Sequence, residues 1–228
     1  MKIEKIKSGI DRLLNDPWLR STAKALRYAL YVIVHPFDGF WDLKNEKRGN
    51  FTAATIIVAA VLMTRLLSLQ YTNFLFMDVY WEEVNIWVEI AQIVLPLIIW
   101  VVANRCLSTL FDGRGDMMEV YIATAYALVP YVLIQLPMCL YSNIATAEEG
   151  AVYTFFGILS YAWCIGLMLV GLMQTHDYTM SRTVLFVGAT LVGMIVIIVL
   201  CLLVFSMASE TVAYFTSLIS EIVLRFYS

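Results

Sequence analysis

Apolar positions in this chain come in long unbroken runs. From Val120 to Ala147, Gly150 to His176 and Thr183 to Ser209 there is no Asp, Glu, Lys or Arg. Each run exceeds the roughly 20 residues an α-helix needs to cross a hydrocarbon core of about 30 Å. Two further runs, broken only near their ends by Arg65 and Arg105, precede them. In lipid, only helices and closed barrels satisfy every backbone group, and none of these runs shows the apolar/polar alternation of a barrel strand. The pattern predicts an all-α, polytopic membrane bundle with five spans, at about 51–71, 90–111, 120–140, 152–172 and 183–207.

The flanks follow a different period. Ile3, Ile6, Ile10, Leu13 and Leu14 share one helical face, with Lys2, Lys5, Lys7 and Arg12 mostly off it. Asp16 then Pro17 reads as an N-cap and first-turn proline. Beyond it Leu19, Ala23, Leu26, Leu30 and Ile33 recur at spacings of four and three, and Pro36 stops the helix near His35. Both helices are expected in the headgroup region, apolar side down; the alternative is a hairpin packed on itself. Residues 1–50 thus form a cytoplasmic, interfacial unit and 51–208 the membrane unit. In residues 209–228, Val212, Phe215, Leu218, Ile219 and Ile222 fall on one face, so a separate extracytoplasmic interfacial helix is expected there.

Charge supplies the orientation. Residues 1–50 carry ten Lys/Arg and six Asp/Glu, and the remaining 178 residues carry five and twelve. The first 50 residues, the loop holding Arg114 with flanking Arg105, and the loop ending at Arg182 hold 13 of the 15 cations. An excess of Lys/Arg marks cytoplasmic loops, so the amino terminus is expected inside and the carboxyl terminus outside. The basic segment is attracted to the anionic inner leaflet, by about 1 kcal/mol per well-placed cation. No compact basic fold argues for nucleic acid. No signal peptide is expected, since charges alternate in the first residues and no apolar core precedes Asn50.

Chemistry-bearing residues are few. Cys106, Cys139, Cys164 and Cys201 lie inside apolar runs without CxxC spacing, and only His35 and His176 could join them. They read as small packing residues; no metal or other cofactor is implied. His176-Asp177 reads as a polar turn after the fourth span. Folding the second and third spans about Gly115 places Asn104 level with Tyr126 and Trp100 with Pro130. An interhelical Asn104–Tyr126 hydrogen bond would be worth about 0.6–2 kcal/mol. Pro96, Pro130 and Pro137 are expected to kink these spans, lining a polar pathway or simply accommodating packing. Glu89 and Gln92 sit near the outer end of the second span, with no second carboxylate at matched depth to form a relay. No catalytic constellation is present, so a non-enzymatic protein is expected.

Some motifs carry a family likeness. The elbow His35-Pro36-Phe37-Asp38-Gly39-Phe40-Trp41-Asp42-Leu43-Lys44, followed by Lys47-Arg48-Gly49, resembles the entry segment of bacterial Yip-domain membrane proteins. So do Asn104, the loop Asp112-Gly113-Arg114-Gly115, and Tyr126-Ala127-Leu128-Val129-Pro130-Tyr131. The likeness covers roughly residues 35–208 and includes the five spans. Eukaryotic members act in early secretory traffic and associate with Rab-type GTPases, but no long cytosolic amino-terminal domain of their kind is expected for this chain, and so no GTPase binding. Bacterial members have no established activity, and some accompany sugar-importing ABC transporters. The resemblance therefore implies a multi-pass bacterial plasma-membrane protein that organises or assists a membrane-protein partner, ABC-transporter subunits being candidates, with self-association open. The rival is a lipid or small-solute translocator using the proline-bearing second and third spans. Asp38 and Asp42 are expected to cap the short elbow helix or to pair with cations such as Arg114, making an aromatic and basic collar around the first span.

Overall fold

A computed structural model describes residues 17–76 and 84–227 of the chain. The first amphipathic helix expected over Ile3–Leu14, the Asp16 cap and the acidic stretch Asp78–Glu83 lie outside the described residues.

Helix α1 spans Pro17–Val34 and α2 spans Pro36–Asn45, so Pro36 ends one helix and opens the next. A proline in the first turn suits α2, because its missing N–H is an orphan donor there anyway. The elbow between them is closed by Gly39, where a Cβ would lie 2.9 Å from the Val32 Cα. Lys47, at φ 50°, turns the chain into the first span, α3, over Phe51–Tyr71.

The second span, α4, covers Ile86–Ser108, a turn earlier than the hydropathy pattern places it. Asn85 accounts for the early start: its Oδ1 accepts the Trp87 N–H at 3.0 Å. Asp112, at φ 54°, lies within the turn that follows. The third span is two helices, α5 (Met117–Ala127) and α6 (Val129–Tyr141). Pro130 cannot donate to the Tyr126 carbonyl. The chain instead tightens, with Leu128 N–H donating to Ala125 O at 3.2 Å and Tyr131 N–H to Leu128 O at 3.1 Å. Pro96 and Pro137, also expected to kink, lie inside unbroken helices. The fourth span, α7 (Gly150–His176), ends at Asp177, which takes the left-handed conformation open to Asp.

The tail departs from expectation. The fifth span and the described tail residues 209–227 form one helix, α8, over Met180–Tyr227, in place of a span and a separate interfacial helix. Ser206-Met207-Ala208-Ser209 contains neither proline nor glycine, so nothing breaks the hydrogen-bond ladder.

Helix α7 sits at the centre, packing on α2, α5, α6 and α8, while α4 lies mainly along α8 at the flank. The largest core gathers Ala29, Val32, Phe40, Leu43, Ile57, Tyr126 and Leu167 near the α1–α2 end. The amino-terminal helices are therefore part of the bundle. Helix α1 buries the small face Thr22, Ala25, Ala29 and Val32, whereas Ala23 and Leu30 of the expected stripe are exposed. Small residues let backbones approach where water supplies no driving force between helices. Leu26 and Ile33 of the stripe are partly buried against the same core.

This packing predicts opposite effects of two alanines. Gly39→Ala drives a methyl into backbone and should lower stability in detergent by about 1–3 kcal/mol. Gly157→Ala, where a Cβ meets nothing within 4 Å, should raise it by about 0.5–1 kcal/mol. Thermal unfolding of the two variants measures the difference.

Candidate functional site

Two groups of residues stand out: a polar platform where the collar meets the bundle, and an ion pair within the spans. The platform begins with Phe40, buried against Gly171, where a Cβ would lie 3.0 Å from the ring. One turn on, Lys44 reaches the carboxyl end of α7. Its Nζ lies 2.7 Å from Asp177 Oδ1 and donates to Gln174 O at 3.2 Å. A cation at a helix carboxyl terminus also meets the negative end of the macrodipole. The other Asp177 oxygen lies 3.9 Å from Arg114 NH1. Arg182 donates to Phe111 O and lies 3.8 Å from Asp112 Oδ2.

The collar carboxylates depart in part from expectation. Asp42 pairs with neither Arg114 nor a helix end; it accepts the Tyr28 hydroxyl at 2.7 Å and lies 3.4 Å from Arg48. Burial, and then this bond to a carboxylate, hold the Tyr28 hydroxyl pKa well above its ordinary value. Asp38 sits exposed in the first turn of α2, where negative charge is favoured. His35 stacks on Tyr31, with ring centroids 4.8 Å apart. Phe37 and Trp41, about half exposed, point away from the face that Phe40 buries.

Gly113 and Gly115 are explained by two rings, His176 and Tyr178, that the sequence reading did not connect with them. His176 and Tyr178 stack at 5.3 Å, and a Cβ on Gly113 would come within 2.5 Å of the Tyr178 hydroxyl. Gly115 N–H donates to His176 Nδ1 at 3.3 Å. His176 is buried, so the expected polar turn is instead a seat for the loop. The signal was there in Gly113-x-Gly115, since two side chains missing so close together imply an approaching neighbour.

The hairpin register also differs. Asn104 and Tyr126 are both buried but do not bond each other. Asn104 Nδ2 donates to Trp100 O at 2.8 Å, and the Tyr126 hydroxyl to Ala25 O on α1 at 3.1 Å. The interhelical bond runs from Trp100 Nε1 to Thr124 Oγ1, at 3.2 Å. Trp100 faces Thr124 rather than Pro130 because the α4–α5 turn begins earlier than the pattern placed it.

The ion pair joins Arg65 Nε and Glu89 Oε2 at 3.0 Å, on the first and second spans. Glu89 thus has a cation, not a second carboxylate, at its depth. Both residues line a cavity of about 540 Å³ to which all five spans contribute, with Pro96 and Leu128 in its wall. Arg65 also lines an adjoining cleft of about 660 Å³. Among the described residues no three His, Cys, Asp or Glu side chains gather as a metal site.

Two double-mutant cycles check these contacts. Lys44→Gln with Asp177→Asn, which tolerates the left-handed backbone, should show coupling of about 0.2–1 kcal/mol that shrinks with salt. Trp100→Phe with Thr124→Val should couple by about 0.5–1.5 kcal/mol, whereas Asn104→Leu with Tyr126→Phe should be additive.

A family model for the Yip1 domain matches residues 30–208. No curated protein and no solved structure matches the chain. The chain belongs to the Yip1 domain family, and the matched region runs from the end of α1 through the membrane-crossing part of α8.

Proposed function

For this Yip1-domain chain we propose a non-enzymatic role: a membrane-organising accessory protein that works through helix–helix and lipid contacts. One observation carries the reading. The collar is fixed on its inner side by Phe40, Leu43 and Lys44, yet presents Phe37 and Trp41 outward. Aromatic side chains held rigidly near the membrane boundary supply contact area at little entropic cost, which is what an interface anchor requires. The partner is a membrane protein, and subunits of an ABC-type sugar importer are the class the family likeness favours. A cytoplasmic collar is supported by Lys44, Lys47, Arg48, Arg114 and Arg182, which lie on that side of the chain, and a bacterial plasma membrane is the setting the family likeness favours.

A photo-crosslinking residue at Trp41 should capture a discrete membrane-protein partner in cells, and one at Ile198 on α8 should capture none. Phe37→Ala with Trp41→Ala should abolish capture while leaving thermal unfolding unchanged. A fall in stability instead would make the collar aromatics structural. In a cysteine-free background, Cys at position 114 should resist impermeant thiol reagents in intact cells and Cys at position 148 should react.

A second reading rests on the five-span cavity beside the Leu128 break: passage of lipid or a small solute between α4 and the rest of the bundle. Reconstituted protein should then scramble lipid or pass solute, and a flat trace removes this reading.

A further inference from the structure

Arg65 is the residue the fold accounts for least. It lies six residues inside the end of α3 remote from the collar, about 9 Å along the helix axis. Ionisable groups at membrane depth are costly and mark sites of interaction. Glu89 engages only Nε of the guanidinium, which has five N–H donors in a planar fork suited to phosphate.

The spaces on either side of Arg65 differ in chemistry. The deeper cavity runs from Glu89 past Leu97 to Trp100, Met168 and Met194. Glu89 and Trp100 are eleven residues apart on α4, about 16 Å of helix. Its walls beyond the ion pair are almost wholly apolar. The adjoining cleft extends to Thr72 and Gly150 at the end remote from the collar, and Ser68, Thr72, Gln135 and Thr154 line it. Arg65, Tyr131 and Tyr161 line both spaces, so the cation stands where polar walls give way to apolar ones. Volumes of 540 and 660 Å³ fall in the range of ordinary ligand sites.

We propose that this pair of spaces is a phospholipid-binding site. The phosphate sits on the Arg65 guanidinium, the rest of the headgroup occupies the polar cleft, and one acyl chain fills the cavity down to Trp100. The polarity of the walls follows the molecule from head to tail, and Arg65 supplies the one charge a phosphodiester needs. Glu89 holds the guanidinium in place and limits its desolvation cost when the site is empty. Occupancy is an equilibrium property and does not depend on whether lipid crosses the membrane.

The test uses the full chain in nanodiscs doped with phosphatidylglycerol bearing a diazirine on one acyl chain. After photolysis, mass spectrometry should find adducts on Leu97, Met168 and Met194, besides those on outward residues of α8 such as Val199 and Leu203. Arg65→Gln with Glu89→Gln removes both charges and strands neither; it should cut the cavity adducts about tenfold and leave the outward ones unchanged. Met194→Trp fills the cavity from α8 and should have the same effect; it serves if the charge variant does not fold. Adducts confined to outward residues of the wild type overturn the proposal. So does cavity labelling that neither folded variant reduces.

Discussion

The close approach of α2 to the end of α7 governs the collar end of the structure. Phe40 lies on Gly171 because that residue has no side chain, and Gly39 lets the same helix fold back against Val32. With α2 seated, Lys44 reaches Asp177 without crossing open space. Asp177 is also the left-handed residue that ends α7 and directs the chain toward α8. One ion pair thus ties the collar to the turn that launches the last span. The loop carrying Gly113 and Gly115 then closes over His176 and Tyr178, bringing Arg114 within range of the same carboxylate.

Within the membrane the chain resolves a general difficulty in the same way at several depths. Lipid offers no hydrophobic drive between helices, so contact depends on small residues and on polar groups that find partners. Ala25, Ala29, Ala53, Ala54, Ala123, Ala125 and Ala127 are all buried, while most large side chains of α8 beyond Phe186 face outward. Polar side chains mostly bond locally: Thr64, Thr124, Thr175 and Thr190 each donate to the carbonyl four residues earlier. Trp100 with Thr124, Gln135 with Ser160 and Arg65 with Glu89 cross between spans and fix register there.

How much of this was legible depends on the range of the signal. Runs such as Gly150–His176 announce a span because crossing a hydrocarbon core is a one-helix requirement, met by composition alone. Pro36 sets a helix boundary for an equally local reason. The ends of α4 were less clear, since Asn85 and Asp112 act through cap and turn geometry that hydropathy does not register. Pairings were least legible. Asn104 and Tyr126 are both buried polar residues, as expected, but the hairpin slips by about a turn and a half and each bonds elsewhere. Arg65 and Glu89 were visible singly, and their pairing required the depth of each along its own helix. In α1 the stripe of large residues contributes Leu26 and Ile33 to the contact with the bundle, but the closest packing is made by the small face Thr22, Ala25, Ala29 and Val32, which hydropathy does not mark.

Helix α8 has 48 residues, about 72 Å of rod against a hydrocarbon core of about 30 Å. Its first half is held: Thr183, Phe186 and Thr190 are buried, and Gly193 abuts Leu107. From Cys201 to Ile222 every residue is exposed. A beam clamped at one end and free at the other acts as a lever. A load on its far end is multiplied at the fulcrum, and here the fulcrum is the contact of α8 with α4, whose Leu97 and Trp100 line the cavity opposite Met194. A grip on the distal half would therefore bear on the interior through torque, with no residue of the bundle touched directly.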